Sequence, residues 1–433
     1  MLYCDKSHYQ QFTPPFDIPE SWEWVRLEDI SYAVLGKMLD KSKNKGVNHP
    51  YLRNINVRWF EFDVSDLLEM PFEMQEADRY SIKHGDLVIC EGGEPGRCAV
   101  WDKTEPIMFQ KALHRVRFFG EINSHFISNI IYLYCLNGFI TTFFTGSGIK
   151  HLTGESLANI PIPMPPIKEQ QRILKSVNSF DIIIQQITDD KKLLSNTIIL
   201  IKSKIIDLAM QGKLVPQDPA DEPAADMLRR VNPKAKIITD NPQCRNLPLG
   251  WTLCQLRDLC LFLSRGKSPK YSETPNQYPV FAQKCNLKDG DISLTQARFL
   301  DENTISKWPE KYRLRDGDVL VNSTGTGTVG RTRMFKSEYL GNYPFVVPDS
   351  HVSVVRSFDE IDSTYIFYCL YCQDGQQYFA ENLAGSTNQK ELYIDVIGDK
   401  SIMLPPINEQ KRIVAKIEEQ YSVLYEIEAS LRS

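Results

Sequence analysis

Apolar residues fall on an alternating four-and-three spacing from Ile173 through Val177, Phe180, Ile184, Ile187, Leu194, Ile198, Ile201 and Ile205 to Leu208, with Lys191 as the polar member of the series. That is the heptad seam of a helix that pairs with another helix. Ile413, Ile417, Gln420, Leu424, Ile427 and Leu431 repeat the spacing near the C-terminus. A Pro-Pro pair precedes each segment (Pro165-Pro166 and Pro405-Pro406) and fixes its start, because proline is tolerated only in the first helical turn. The pattern predicts a first helix from Ile167 to Gln211, roughly 65 Å long, and a second from Ile407 of about 40 Å. The expected pairing positions are Ile173, Val177, Ile184, Ile187 and Leu194 against Ile413, Ile417, Leu424 and Ile427.

Outside these segments the periods are short and mixed. Gly85 to Cys90 and Gly317 to Asn322 read as short buried strands, and 114–118 and 351–356 alternate like strands. Ile127 to Phe139 and Tyr365 to Tyr378 are long and apolar enough for helices packed on a sheet. The fold class is therefore α+β.

The chain also repeats itself. Pro19-Glu-Ser-Trp22 matches Pro248-Leu-Gly-Trp251, and Gly36-Lys37 matches Gly266-Lys267. Gly85-Asp86 matches Gly317-Asp318, Gly96-Arg97 matches Gly330-Arg331, and His114 matches His351. Gly146-Ser147 then matches Gly385-Ser386, and Pro165-Pro166-Ile-Lys-Glu169-Gln170 matches Pro405-Pro406-Ile-Asn-Glu409-Gln410. The separation only grows along the chain, from 229 to 240 residues. Two copies of one fold with slightly different loops give that drift, whereas chance matches scatter. Between the copies, Gly212 stops the first helix, and Pro216, Pro219, Pro223, Pro233, Pro242 and Pro248 mark a connector, with a short helical turn around Asp226 to Val231. The expected layout is a first body over 1–162, a long helix over 163–212 and a linker over 213–247. A second body over 248–402 and a shorter helix over 403–433 complete it.

Composition narrows the function class. Fifty Lys and Arg against 55 Asp and Glu give a net charge of −5, which excludes a uniformly basic nucleic-acid coat but not local basic patches. No run approaches the roughly 18 uncharged apolar residues of a membrane span, and Met1 to Gln10 shows no secretory pattern, so a cytoplasmic protein without membrane contact is expected. The 10 cysteines then read as reduced thiols. Cys369 and Cys372, inside an apolar aromatic run, read as core residues rather than a metal or redox pair. Gly325-Thr-Gly327-Thr-Val-Gly330 follows a strand but opens no helix, so it reads as a hairpin loop and not a dinucleotide site. The sequence contains no phosphate-binding loop motif, no Asn/Asp-Pro-Pro-Tyr/Phe and no metal-nuclease constellation. No catalytic residue, cofactor or metal is expected.

The order body, long helix, linker, body, helix resembles the DNA-specificity subunit of type I restriction-modification systems. Met164-Pro-Pro-Ile-x-Glu-Gln-x-Arg-Ile173, its second copy Leu404 to Ile413, and the linker Gln211-Gly-Lys-Leu-Val-Pro-Gln-Asp-Pro with Asp221-Glu222-Pro223 carry the likeness over essentially the whole chain. The resemblance implies two tandem target-recognition domains, each reading half of a bipartite site in double-stranded DNA. It also implies helices that pair as an antiparallel coiled coil, two docked modification (methyltransferase) subunits, and restriction subunits in the full complex. The subunit itself would do no chemistry. Members usually carry a second helix comparable to the first, which is shorter here. The rival reading from composition and periodicity alone is a coiled-coil adaptor with two protein- or peptide-binding domains.

DNA readers need cations for phosphates and side chains for base edges. Lys37, Lys41, Lys43, Lys45, Arg53 and Arg58 stand against one acid, Asp40, in the first copy. Arg265, Lys267, Lys270, Lys284 and Lys288 stand against Glu273 in the second. Both clusters begin at the matching Gly-Lys, and both hold amides suited to adenine (Asn54 and Asn56; Gln283 and Asn286). A solvated face is the bland alternative, and the recurrence at equivalent positions favours DNA. Lys150 in the first copy, and Asn388 with Lys390 in the second, sit in Gly-Ser loops suited to close backbone approach. Arg97 and Arg331 are candidates for phosphate contact. His114 and His351 are expected to be structural.

Overall fold

The structure, a computed structural model, describes residues 14–40, 44–325, 327–385 and 390–432. Lys41, Lys43 and Asn388 lie outside the described residues. The chain falls into two compact units that meet along the sequence at Ile187 and Thr188.

In the first unit β1 (Glu23–Arg26) leads into the single turn α1 (Leu27–Ile30) and pairs antiparallel with β10 (Pro161–Met164). Between them lies an antiparallel sheet of order β2-β9-β6-β7 (Ser31–Leu35, Leu113–Phe118, Leu87–Cys90, Cys98–Val100). A second sheet has the order β4-β3-β8-β5 (Leu68–Phe72, Val47–Leu52, Ile107–Phe109, Ser81–Ile82), with β3 parallel to β8. The helices α2 (Ser124–Leu136) and α3 (Gly154–Ala158) complete the body. β6 is apolar without alternation because both its faces are buried. Leu87 and Ile89 share a core with Phe126 and Ile131 of α2, while Val88 and Cys90 share one with Leu52 and Phe109 of the second sheet.

The second unit repeats the plan. β12 (Thr252–Gln255) pairs with β20 (Ser401–Leu404) and, on its other edge, with β11 (Ile237–Ile238). The order β13-β19-β16-β17 (Cys260–Arg265, Val352–Ser357, Val319–Asn322, Thr332–Met334) reproduces the first central sheet. The order β15-β14-β18 (Arg298–Phe299, Pro279–Phe281, Val347–Pro348) reproduces three strands of the other, again with one parallel pair. The helix expected over 365–378 is broken. Cys372, in an extended conformation, ends α6 (Ser363–Tyr371) and caps α7 (Gln373–Glu381) by accepting the Gly375 N–H at its sulfur. α8 (Ile394–Asp399) precedes β20.

Strand register corrects the histidine match. Ile89 faces His114, and its equivalent Val321 faces Ser353. His351 therefore corresponds to Ala112, in the turn before the strand. His114 is buried with Nε2 on the Leu152 carbonyl at 2.8 Å, and burial lowers its pKa. The repeated Gly-Asp has a structural cause. Asp86 takes Nε and Nη2 of Arg117 at 2.7 and 2.6 Å, and Asp318 takes the same atoms of Arg356 at 2.7 Å each. Each carboxylate also accepts a backbone N–H, from Lys83 and Arg315 respectively.

The Gln of the repeated Pro-Pro-Ile-x-Glu-Gln ties each body to its helix. Gln410 is buried, donates to the Pro405 carbonyl at 2.8 Å and accepts the Asp362 N–H at 2.9 Å. Gln170 makes the equivalent bonds to Pro165 and Asn123. Asp362 and Asn123 are the N-caps of α6 and α2, so the two latches are alike. The helices they launch are α4 (Ile167–Met210) and α9 (Ile407–Arg432).

Within the second unit α9 runs antiparallel to the end of α4. Lys202 reaches Glu428 at 2.8 Å and lies 3.9 Å from the Tyr425 ring centre. Gln217, just past α4, donates to Glu409 in the first turn of α9 at 3.0 Å. The buried seam is Ile198, Ile205, Ile206 and Ala209 with Ile413, Ile417 and Leu424. The helix lengths, 44 residues for α4 and 26 for α9, match the expectation, but the buried seam lies at the end of α4 and not along the expected positions from Ile173 to Leu194. Ile184, Ile187 and Leu194 are exposed, as is Ile427, and Ile173 packs instead on the core of the first body. Val177 is half-buried. The proline-rich connector is packed: Asp221 binds Arg412 at 2.7 Å, which holds its carboxyl below the usual range, and Ala224, Met227 and Leu228 of α5 (Ala224–Val231) join the core.

Asp318→Ala strands the buried Arg356 guanidinium. It is expected to destabilise the second unit by about 3–5 kcal/mol, the cost of breaking a buried ion pair from one side. Asp86→Ala should cost less, because Arg117 is partly exposed. Urea unfolding followed by a probe in each unit checks both, and equal losses would contradict the burial argument.

Candidate nucleic-acid interface

In both bodies the central strand runs into a Gly-rich hairpin, 91–97 after β6 and, among the described residues, 323–325 and 327–331 after β16. Three other segments gather at that hairpin. One is the tight turn after β3 or β14 (Asn54–Asn56; Gln283–Cys285). Another is the turn just before β9 or β19. The last is the loop that pairs with the hairpin from the side, through the Leu152 N–H on the Glu91 carbonyl and the Leu392 N–H on the Ser323 carbonyl.

In the first body Asn54 donates to the Gly92 carbonyl, and Arg97 donates to the Asn54 carbonyl at 3.0 Å while pairing with Glu94. Backbone pairing of Thr145 with His151 closes a loop in which exposed Lys150 donates to the Gly146 carbonyl at 2.9 Å. His151 is half-exposed, with Nδ1 3.1 Å from the Glu91 carboxylate. Lys111 is exposed in the neighbouring turn, where the Ala112 carbonyl accepts the Glu91 N–H at 2.9 Å.

In the second body Gln283 occupies the place of Asn54. Its Oε1 accepts the Thr324 hydroxyl at 3.2 Å, and Thr324 Oγ1 lies 2.7 Å from His351 Nδ1. The buried Asp349, its pKa raised by burial, accepts the His351 N–H at 2.8 Å. Arg265 donates to the Ser350 carbonyl and pairs with Glu391. Lys284 and Lys390 are exposed. Gly325, at φ 110°, packs so closely on the Gln283 amide that a Cβ there would overlap it.

Not every candidate reaches this rim. Lys37 is buried, its ammonium on Glu76 and on the Pro71 carbonyl at 3.0 Å. Its equivalent Lys267 lies 4.3 Å from the Tyr312 ring centre. The Gly-Lys match has a packing cause, because a Cβ at Gly36 or Gly266 would overlap the carbonyl of Gln110 or Asp349. Asn56 and Asn286 are buried, which corrects the expectation that they read bases. The Asn56 amide binds the Arg53 N–H and the carbonyls of Asp63 and Asp66. The Asn286 amide donates to Asn322 at 2.6 Å. Arg53 pairs with Asp66 and Lys270 with Asp301, whereas Arg331 does reach the rim and donates there to the Asn286 carbonyl. Lys45 is exposed just before β3. The rim thus brings together Asn54, Arg97 and Lys150 in one body, and Gln283, Lys284, Arg265, Arg331 and Lys390 in the other. Sequence reasoning missed Lys111 and Thr324, placed His151 in a candidate loop without giving it a role, and took His351 for a framework residue. The signal open to it was the tripeptide Lys111-Ala-Leu113, which aligns with Ser350-His-Val352 once the strands are in register.

Burial pushes the Cys369 and Cys372 thiols up, as for core cysteines. Among the described residues no group of three His, Cys, Asp or Glu side chains is placed to hold a metal, and no helix is long and apolar enough to cross a membrane.

Asn286→Ala should cost roughly 1–3 kcal/mol, the penalty for leaving Asn322 without its partner, and should not alter which sequence is bound. Thermal unfolding alongside duplex selection checks this. A stable variant with changed sequence preference would contradict it.

The model of the type I restriction modification DNA specificity domain matches residues 19–218 and 248–432. The chain is 24% identical to the EcoEI specificity subunit of Escherichia coli, over 97% of this chain and 81% of that protein. It is 22% identical to the MjaVIII specificity subunit of Methanocaldococcus jannaschii, over 92% and 86%. The crystal structure of the HsdS subunit from Thermoanaerobacter tengcongensis superimposes with a TM-score of 0.58 at 21% identity, covering 96% of this chain and 95% of that one. With two copies of one α+β fold, each followed by a helix, and the specificity-domain model spanning both copies, the chain belongs to the family of type I restriction-modification DNA specificity proteins.

Proposed function

We propose that this chain is the non-catalytic DNA-reading subunit of a type I restriction-modification complex. Each body, 1–162 and 248–402, reads one half of a bipartite duplex target. The observation that carries this reading is the doubled rim: one framework, with the same central sheet order in both bodies, presents exposed lysines and polar side chains at equivalent ends but not the same side chains. A bipartite, asymmetric target needs that arrangement, with constant cations for phosphates and variable groups for base edges. Two modification subunits dock on the helices, and restriction subunits complete the assembly. Exposed Phe180, Ile183 and Leu193 on α4 supply apolar surface in support of docking.

Duplex affinity should fall steeply with salt, at close to 0.9 log units per log unit of salt for each phosphate neutralised. Lys284→Ala and Lys150→Ala should each lower that slope by roughly one phosphate and weaken all sequences alike. A flat salt dependence for the unaltered chain would instead favour a protein-binding adaptor.

The first helix acts as the spacer between half-sites. Inserting Ala-Glu-Ala-Leu near Lys191 lengthens it by about 6 Å and adds about 40° of rotation. DNA rises roughly 3.4 Å and turns roughly 35° per pair, so the recognised spacer should grow by one or two base pairs while the bases of both half-sites stay unchanged. Methylation-motif sequencing of a host carrying the insertion checks this. An unchanged spacer would show that the helix does not set the gap.

A further inference from the structure

Each rim carries one imidazole, and the two come from different loops. His151 lies in the loop beside the hairpin, where the second body has Glu391. His351 lies in the turn before β19, where the first body has Ala112. Both nevertheless come to the same part of the hairpin. A Cβ at Gly92 would sit 3.1 Å from His151 Nδ1, and Thr324, the equivalent of Gly92, holds His351 through its hydroxyl.

The hydrogen bonds favour the Nδ1-protonated tautomer in both rings. Thr324 has a single hydroxyl proton, which it donates to Gln283 Oε1. Its oxygen can therefore only accept from His351, so the ring proton is on Nδ1 and the Nε2 lone pair is left over. Glu91 leads to the same result in the first body, because a carboxylate accepts and His151 Nδ1 must donate. In the neutral ring each Nε2 is then an acceptor, on an exposed or half-exposed side chain flanked by exposed lysines: Lys111 and Lys150 in one body, Lys284 and Lys390 in the other.

We propose that His151 and His351 are base readers, and that each selects an amino-bearing base, adenine or cytosine, on one strand of its half-site in the major groove. There the adenine N6 and cytosine N4 amino groups are donors, whereas guanine O6 and thymine O4 present lone pairs that an acceptor repels. The inference rests on the DNA-reading function proposed above and adds to it which groups read and what chemistry they read.

The test selects the full-length chain and its variants against duplexes randomised over the target. His351→Ala should lose the adenine-or-cytosine preference at one position of one half-site, with the other half-site unchanged. His151→Ala should do the same in the other half-site. His351→Gln restores an acceptor oxygen and should restore the preference. Thr324→Val removes the hydroxyl that holds His351 Nδ1 and should weaken the same preference. A duplex whose base at that position lacks the amino group should bind the unaltered chain roughly tenfold more weakly, with no further loss for His351→Ala. Unchanged motifs in both alanine variants, or a uniform loss of affinity without a change of motif, would overturn the inference and leave the broader reading intact. Failure of the unaltered chain to enrich any sequence would overturn both.

Discussion

The amides of Gln170 and Gln410 join each repeated body to its helix. Each lies where two polar groups lose their ordinary partners: the N–H of a helix N-cap residue and the carbonyl of the first proline of the Pro-Pro pair. A primary amide supplies one donor and one acceptor at the right separation. Leaving either backbone group buried and unpaired would cost on the order of 1–3 kcal/mol. The prolines set where the helix begins, and the glutamine sets how it leaves the body. Glu409, beside Gln410, carries this further, since it is buried with its carboxyl pushed up by that burial and receives the amide of Gln217 from the connector. Body, helix and connector of the second unit thus share one polar junction beneath Trp251.

A second constraint keeps the two rims in place. The ion pairs Asp86–Arg117 and Asp318–Arg356, the second of them buried, lock adjacent strands of the central sheets, and the apolar faces of β6 and β16 pack on both sides. The hairpin that continues each strand inherits its position from this rigid base. Side chains on the hairpin and adjoining turns carry little of that load, so their identity is free to differ between the copies. Glu391 stands where the other body has His151, and His351 where it has Ala112. A shared framework with different rims is how one fold presents two chemistries.

Much of this was legible in the sequence. The drifting offset disclosed two copies of one fold, the four-and-three spacing disclosed α4 and α9, and Pro-Pro-Ile-x-Glu-Gln marked the start of both helices. The heptad seam was legible as helix but not as partner. Ile198 and Ile205 are buried whereas Ile184 and Ile187 on the same spacing are exposed, because period specifies a face and not its covering. The rim was harder to see. Lys37, Asn56 and Asn286 have the composition of DNA readers, and packing turned each of them inward.

The sequence by itself determined the features that depend on neighbours along the chain: helix starts, strand periods, the turn glycines and the doubling. Backbone sterics and local burial produce these, and a few consecutive residues specify both. Only the tertiary structure decided which polar side chains remain at the surface, and with which partners. That depends on strand register, which moved His351 from a framework strand to the turn before it, and on hydrogen bonds such as Thr324 to His351 and Glu91 to His151, which join residues 27 and 60 positions apart. No local pattern encodes such pairings, because their geometry is set by how the strands of the central sheet stack side by side.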